Sequence, residues 1–280
     1  MMNQVFQSAV GVDLGGTKLL LRYRDHVLRF ETGPDFGAAN LRDILKDFIG
    51  QYVEPGVVIG IAVPGVVEND TVVACDVLPK LAGWRANTLL CQKVDQVSLV
   101  NDANAALHAT VIDLASDKTA VTVMVGTAIG CGLMLDGKVF RGARGWAGEL
   151  GYWPVQASGS QWKRLDDIAG GRHMANRLNV DANQLALLSQ QGHPAALEVI
   201  AEGGRALGRA LGGIINLLNP HRLSVGGGTL KLVRYWAEAQ TQIEASAIPS
   251  MLKECEIRTV HELEDLVAMG AAQIALTAPR

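Results

Sequence analysis

The chain has 280 residues, of which 49% are hydrophobic and 19% are charged, which excludes a disordered chain and suits one large or two medium domains. Its 25 basic and 28 acidic residues give a net charge of −3. No cluster of Lys and Arg and no aromatic-rich stretch indicates a nucleic-acid partner.

The first elements form a predicted hairpin. The apolar runs A-V-G-V-D-L and K-L-L-L-R-Y are typical of strands, and G-G-T joins them. The run V-V-I-G-I-A-V predicts a buried strand that ends at Pro64 and Gly65. Next, V-S-L-V predicts a strand that leads into a helix beginning within N-D-A-N-A-A-L.

The second half of the chain repeats this layout. An apolar strand from residue 119 meets a Gly-Thr turn and returns, and Asp136-Gly137 predicts a type I′ turn. A long helical pattern stops at Asn219-Pro220, the strand L-S-V leads into three glycines, and a small-residue helix follows that is suited to close packing. The echo between 9–24 and 121–140 predicts two related lobes, each offering a glycine-rich hairpin to a shared cleft.

The stretch D-L-G-G-T-K after the first strand predicts phosphate binding. Gly15 and Gly16 have no Cβ to block the approach of phosphate to the backbone N–H groups. Thr17 offers a hydroxyl, Lys18 a positive charge, and Asp13 a carboxylate that can hold hydrated Mg²⁺. The stretch matches neither the P-loop nor the Rossmann pattern, and taken alone it is equally compatible with an ordinary structural hairpin.

A series of motifs extends this interpretation to nearly the whole chain. They are, in order, D-L-G-G-T-K, V-P-G-V-V, V-N-D-A-N-A-A-L, V-G-T-A-I-G-C-G, G-K-V-F-R-G-A-R-G-W-A-G-E-L-G and V-G-G-G. The series resembles the ROK family of sugar kinases and repressors. The resemblance implies an α/β, two-lobed actin-like ATPase (ribonuclease H-like) fold with a cleft between lobes. We expect residues 1–117 to form the amino-terminal lobe, with 262–280 packing back on it, and 118–261 to form the carboxy-terminal lobe.

The resemblance also implies that ATP is the phosphoryl donor and Mg²⁺ its cofactor. Gly126 and Thr127 match a second phosphate clamp. Gly226, Gly227 and Gly228 match a triple glycine that lies near the adenosine. A plain tight turn is the alternative interpretation of these three glycines.

Asp102 matches the catalytic base of the family. Transfer of a phosphoryl group to a sugar needs a carboxylate that accepts the proton of the attacking hydroxyl. The resemblance gives Asn101 a role as a sugar-binding neighbour. Alternatively, Asn101 and Asp102 cap the helix that begins near Ala103, as residues of this type often do.

Other matches concern the sugar. Glu149 matches a glutamate that binds sugar hydroxyls or an N-acetyl group, with an exposed loop glutamate as the alternative. Asp166 stands where a second sugar-binding glutamate is expected, and Asp167 is the neighbouring candidate. Trp84 corresponds to a tryptophan near the sugar entrance, although core packing explains it equally well.

The chain departs from the family pattern in several places. Ala128 and Cys131 replace glycines of the second clamp, which we expect to restrict its backbone. Tyr152 replaces a histidine that contacts sugar and a structural zinc, and its hydroxyl remains available to a sugar. The cysteines that hold this zinc are missing from the following segment, and the four cysteines form no C-x-x-C pair. We therefore expect buried free thiols and no zinc site.

Together these features predict an ATP-dependent sugar kinase that phosphorylates a hexose or N-acetylhexosamine at the 6-hydroxyl. A non-catalytic ROK protein that binds sugar or nucleotide is the alternative. Only 12 residues precede Asp13, which disfavours a repressor with a helix-turn-helix module. The apolar runs are shorter than the roughly 20 residues that span a bilayer, and no secretion signal is evident. We expect a cytoplasmic homodimer without a membrane partner.

Overall fold

The computed structural model describes residues 5–89, 91–156, 162–260 and 265–278. The chain divides into two compact units. The first consists of Met1–Leu114, Arg141–Ala147 and Leu263–Arg280, and the second of Ala115–Phe140 and Gly148–Glu262. The short segment 141–147 thus belongs to the first unit, whereas the sequence predicts it within the lobe 118–261.

Runs of strands and runs of helices follow one another along the chain. The strands are β1 (Ala9–Leu14), β2 (Lys18–Tyr23), β3 (His26–Glu31), β4 (Val57–Val63), β5 (Val66–Glu68), β6 (Thr71–Ala74), β7 (Val94–Asn101), β8 (Ala120–Val125), β9 (Ile129–Leu135), β10 (Lys138–Val139), β11 (Pro154–Gln156), β12 (Trp162–Arg164), β13 (Arg222–Gly226) and β14 (Glu256–Val260). The α-helices are α1 (Ala38–Tyr52), α2 (Asp102–Thr110), α3 (Leu165–Ala169), α4 (Gly171–Asn176), α5 (Ala182–Gln190), α6 (Pro194–Leu218), α7 (Tyr235–Ser246), α8 (Pro249–Glu254) and α9 (Leu266–Thr277).

The two units contain main sheets of the same topology. The first sheet has the order β3-β2-β1-β4-β7 and the second the order β10-β9-β8-β13-β14. In each, a central strand is antiparallel to the next strand of the chain on one side and parallel to a later strand on the other. Asp136 and Gly137 turn β9 into β10 with positive φ angles of 48° and 73°. The predicted echo between the two halves is therefore a shared sheet topology.

Glycines allow α9 to pack very closely in the first unit. A Cβ added at Gly11 in β1 would overlap the carbonyl oxygen of Ala268, and one at Gly60 in β4 would overlap that of Ala271. Gly270 of the helix approaches the carbonyl oxygen of Ala105 in α2 just as closely. The predicted small-residue helix is thus seated directly on two strands of the first sheet and on α2.

The second unit has its core between its sheet and the long helix α6. Leu207, Leu211 and Ile215 of this helix are fully buried. Asn219 ends the helix in the left-handed conformation, with φ of 44°, as the Asn-Pro signal predicts. Within the described ranges, no helix combines the length and the apolar character that crossing a membrane requires.

Candidate active site

The first sheet brings two aspartates to one edge. Asp13 of β1 is in register with Ala62 of β4, and Ala62 with Val100 of β7. These strands are parallel, so their carboxyl ends lie at the same edge of the sheet. Asp102 follows β7 directly as the first residue of α2. Two strand spacings separate the end of β1 from the end of β7, which amounts to about 10 Å.

The side chain of Asp13 is partly buried near the end of β1. Burial raises its pKa to about 6, against an opposing effect of Lys18. Within the part of the chain that the structure describes, no side-chain or backbone donor binds this carboxylate. A partly buried carboxylate without a donor is costly, and a hydrated divalent cation is a suitable partner. Asp13 therefore fits the magnesium role that the sequence predicts.

The turn between β1 and β2 is open to solvent. The Gly15 N–H donates to the Lys18 carbonyl at 2.8 Å, and the Gly15 carbonyl accepts from the Thr32 hydroxyl at 2.7 Å. Gly16 lies against the side chain of Val77, because a Cβ there would be 3.2 Å from the Val77 Cβ. Thr17 and Lys18 are exposed, so a hydroxyl and an ammonium group are available to a ligand at this turn.

Asn101 forms the amino-terminal cap of α2. Its Oδ1 accepts from the N–H groups of Ala103 at 3.0 Å and Asn104 at 3.2 Å, and its Nδ2 donates to the Gly65 carbonyl at 3.1 Å. The Asp102 Oδ1 accepts from the Ala103 N–H at 2.8 Å. Helix capping, the alternative interpretation, therefore accounts for Asn101. Through Gly65, the same side chain ties the start of α2 to the turn after β4.

Trp84 lies in the core of the first unit. Its side chain is 8% exposed and belongs to the apolar cluster that includes Leu81 and Val72. Core packing, the alternative that the sequence left open, accounts for this residue.

The turn between β8 and β9 in the second unit leaves its backbone accessible. Thr127 and Ala128 are exposed, and the Gly126 N–H donates to the Ala128 carbonyl at 3.0 Å. A Cβ added at Gly126 would meet no atom within 4 Å. Packing against the described residues therefore does not require glycine here, and the position faces open space.

Other elements hold this turn from inside. The Gly126 carbonyl accepts from the Gly171 N–H at 2.9 Å and from the Thr229 hydroxyl at 3.0 Å. Gly227 has φ of 106°, and a Cβ there would overlap the Val125 carbonyl oxygen. Gly227 is thus required by backbone conformation and by close packing under the turn.

The other two glycines of the triplet differ from Gly227. Gly226 is buried at the end of β13, where a Cβ would press on the sulfur of Met124 at 3.0 Å. Gly228 is exposed and has open space where a Cβ would stand. Only Gly228 therefore leaves room for a ligand at its own α-carbon.

Glu149 and Tyr152 lie at the surface of the second unit. Glu149 is exposed, as in the alternative interpretation of an exposed loop glutamate. It precedes the short turn Leu150–Tyr152, in which Leu150 and Gly151 point inward instead. Tyr152 is 51% exposed, with the Arg164 guanidinium 4.4 Å from its ring centroid. Both side chains are accessible to a polar ligand.

The two neighbouring aspartates of α3 have different partners. The Asp166 Oδ1 accepts from the Ile129 N–H at 2.7 Å, and burial raises the pKa of this carboxyl. The Asp167 Oδ2 accepts from the Arg164 N–H at 3.1 Å and so caps its own helix. Asp166, not Asp167, is the residue joined to the second turn.

Neither departure in the second turn disrupts the hairpin. Ala128 points to solvent, and Cys131 belongs to the core of the second unit, where burial raises the pKa of its thiol to about 12. Cys75 and Cys255 are also buried, but Cys91 is exposed, contrary to expectation.

The segment that replaces the zinc-binding cysteines includes β11 and β12. β11 and β12 pair around residues 157–161, which lie outside the described residues. In the remainder of the chain no three His, Cys, Asp or Glu side chains lie close enough to hold a metal ion. The absence of zinc stays a prediction.

Two threonines contribute to the turns without having been predicted. Thr32 and Thr229 each donate a hydroxyl hydrogen bond to the first glycine of a turn, Gly15 and Gly126. Thr229 directly follows the triple glycine, so its position carried a signal. Thr32 carried none, because its approach to Gly15 depends on the pairing of β3 with β2.

The chain is similar to known proteins over nearly its whole length. A model of the ROK family matches residues 9–278. The chain belongs to the ROK family. An N-acetylmannosamine kinase of Salmonella typhi is 26% identical over 290 aligned positions, which cover 96% of this chain and 98% of the relative.

Solved structures with the same fold include two ROK enzymes. A ROK hexokinase from Thermus thermophilus is 24% identical with a TM-score of 0.74, covering 96% of this chain and 97% of that one. A ROK glucokinase from Streptomyces griseus, solved with glucose and AMPPNP, is 21% identical with a TM-score of 0.76, covering 96% and 99%. The actin-like ATPase fold predicted from the sequence is confirmed.

Proposed function

We propose that this ROK protein is an ATP-dependent kinase that transfers a phosphoryl group to the 6-hydroxyl of a hexose or N-acetylhexosamine. The observation that carries the proposal is the placement of Asp13 and Asp102 at one edge of the first sheet, two strands apart. The Asp13 carboxylate suits a cation, and the Asp102 carboxylate suits a sugar hydroxyl. The names of the curated relatives, N-acetylmannosamine kinases, support this chemistry.

Asp102 is the proposed general base. Its carboxylate accepts the proton of the sugar hydroxyl as that oxygen attacks the terminal phosphorus atom of ATP. The cap made by Asn101 fixes the first turn of α2 and therefore the position of Asp102. The second Nδ2 hydrogen of Asn101 remains available for a sugar oxygen.

The two glycine turns are the proposed phosphate sites. In the first turn, the Gly16 N–H and the side chains of Thr17 and Lys18 donate to phosphate oxygens. Gly15, whose N–H is bonded to the Lys18 carbonyl, has no Cβ to block the approach of the phosphate. Asp13 holds Mg²⁺ through water, and this ion, when bound, offsets the negative charge of the phosphates.

In the second unit, Gly126 and Thr127 contact phosphate. Gly226, Gly227 and Gly228 line the adenosine site. Ordered backbone donors that need no rearrangement suit this task, because they stabilise charge without reorganisation during the reaction.

Glu149 and Tyr152 are the proposed sugar contacts of the second unit. Both are exposed, and their carboxylate and hydroxyl groups complement the paired hydroxyls of a sugar. We further propose that the protein acts as a homodimer in the cytoplasm and needs no zinc.

The test is ADP release with Mg-ATP across glucose, mannose, fructose, allose, N-acetylglucosamine and N-acetylmannosamine. Asp102→Asn is expected to lower kcat by at least about 100-fold, because loss of a general base commonly costs 10²–10⁴. Asp47→Asn removes an exposed carboxylate from α1 of the same unit and is the matched control. Full turnover by the Asp102→Asn variant would exclude Asp102 as the general base. Sugar binding without ADP release from any sugar would favour the non-catalytic alternative.

A further inference from the structure

Three hydrogen bonds join the second turn to residues 166–172. The Gly171 N–H donates to the Gly126 carbonyl at 2.9 Å, and the Arg172 N–H donates to the Thr127 carbonyl at 3.2 Å. The third runs the other way, from the Ile129 N–H to the Asp166 Oδ1 at 2.7 Å. The Asp166 carboxylate is therefore the side-chain partner in this set. Its bond from the Ile129 N–H is the shortest of the three.

The carboxylate of Asp166 occupies a place shaped by two glycines. A Cβ at Gly151 would stand 2.9 Å from its Oδ2, and a Cβ at Gly170 would stand 3.1 Å from its Oδ1. The same Cβ at Gly170 would be 3.3 Å from the Thr127 carbonyl oxygen. The carboxylate thus fills the space between these glycines and the turn, where one additional methylene would crowd Gly151.

The helix that carries Asp166 is itself anchored. Leu165, Ile168 and Ala169 of α3 are buried, and the Ala169 carbonyl accepts from the hydroxyl of the buried Tyr235 at 2.7 Å. An acceptor on a fixed helix restrains the donor that it binds. A charged acceptor also gives a stronger hydrogen bond than a neutral one.

We propose that Asp166 is a positioning residue for nucleotide binding and not a ligand of the sugar. Its Oδ1 fixes the Ile129 N–H, and thereby the orientation of Gly126 and Thr127, which the proposed function assigns to phosphate. The inference rests on that function. It also explains why aspartate suits a position where the family resemblance leads one to expect glutamate, since the shorter side chain reaches Ile129 without displacing Gly151.

The test compares Asp166→Ala, Asp166→Asn and the control Asp181→Ala in the full chain. The Asp181 Oδ1 accepts a backbone N–H from Gln184 at 2.8 Å, so the control loses the same kind of bond at a helix start away from the turn. The readouts are hydrogen exchange of the Ile129 amide, the Kd of Mg-AMPPNP by calorimetry, and separate KM values for ATP and N-acetylmannosamine, or for whichever sugar of the panel is phosphorylated.

Asp166→Ala is expected to speed exchange at Ile129 and to raise the Kd of Mg-AMPPNP and the KM for ATP about tenfold, as for loss of one hydrogen bond to a charged group. The KM for the sugar should stay within about twofold. Asp166→Asn retains an acceptor oxygen and should keep the Kd within about threefold of the parent. Asp181→Ala should change none of these values. Because asparagine has nearly the same shape as aspartate, the Asp166→Asn variant remains informative even if Asp166→Ala does not fold.

Two patterns would overturn the inference. One is unchanged exchange at Ile129 in a folded Asp166→Ala chain, and the other is a rise in the KM for the sugar in Asp166→Ala and Asp166→Asn with the KM for ATP unaltered. Failure of the parent chain to bind Mg-AMPPNP overturns the proposed function instead, while faster exchange at Ile129 in the same variant still establishes the bond as a restraint on the turn.

Discussion

The two glycine turns have similar outlines but different support. The turn after β1 follows Asp13 and precedes Lys18. Among the described residues, the Thr32 hydroxyl is the side-chain group that donates a hydrogen bond to this turn. The turn after β8 contains no charged residue of its own. It is instead held by Thr229 and by the segment 166–172.

This difference indicates a division of tasks between the turns. A charged group is most useful to a ligand when no hydrogen bond within the protein occupies it, and among the described residues no donor binds the Asp13 carboxylate. A turn that offers only backbone N–H groups must instead be held in position, because misplaced donors stabilise charge poorly. The following predictions test this distinction, starting with the largest expected effect.

Asp13→Asn should lower kcat/KM for Mg-ATP by about 10²–10³, the usual cost of removing one preorganised electrostatic contact. It should also stabilise the folded chain at pH 7 by about 1–3 kcal/mol, because burial raises the pKa of Asp13 from 3.8 to about 6. A raised carboxyl pKa adds stability fully below pH 3.8 and loses it as pH rises through about 6. Steady-state kinetics and urea unfolding measure the two effects.

The pH profile is the internal control for Asp13. The Kd of Mg-AMPPNP should be constant above pH 6. Below pH 6 it should rise by up to about tenfold per pH unit, because the Asp13 carboxylate takes up a proton. Asp13→Asn should abolish this slope. A slope that persists in the variant would assign the titration to another group.

Gly227→Ala should destabilise the second unit by about 2–4 kcal/mol, since it combines an unfavourable positive φ with overlap of the Val125 carbonyl. Gly228→Ala is the matched control, because open space surrounds that position and its stability should change by less than about 1 kcal/mol. Urea unfolding measures both. Equal costs at the two positions would mean that the turn is not packed on Gly227.

The smallest effects are expected from Thr32→Val and Thr229→Val, which remove equivalent hydroxyl bonds from the two turns. Thr32→Val should cost about 1 kcal/mol, and Thr229→Val about half as much, because the Gly126 carbonyl keeps its bond from Gly171. Unfolding midpoints compare them directly. A larger cost for Thr229→Val would show that the second turn depends on its hydroxyl rather than on its several backbone bonds.

Much of the fold could be predicted because its signals are local. The alternation and glycines of β1, β2, β8 and β9 predict both hairpins, and the Asn-Pro pair predicts the end of α6. The helix α1 was missed although Leu41, Leu45, Phe48 and Ile49 follow helical spacing. The strand β14 could not be found in this way, because it is a mostly exposed edge strand defined by its pairing with β13.

The sequence motifs single out the residues of the proposed site, and two of them lie at one edge of the first sheet. The motifs led to Asp13 and Asp102, the family membership is confirmed, and the names of relatives agree with a sugar kinase. The surroundings of each side chain were harder to predict. Glu149 is exposed although it lies within a motif, and Trp84 is buried, because the exposure of a side chain depends on how neighbouring segments pack.

The seat of α9 on β1 and β4 has a consequence for biosynthesis. This helix follows the entire second unit in the chain, yet Gly11 and Gly60 in the first sheet are shaped to receive it. During translation, the first unit must wait for the last helix to leave the ribosome, whereas nearly all of the second unit has by then emerged. We therefore expect the later-encoded unit to fold first, and nascent chains stalled before residue 266 to expose an unfinished first sheet to chaperones.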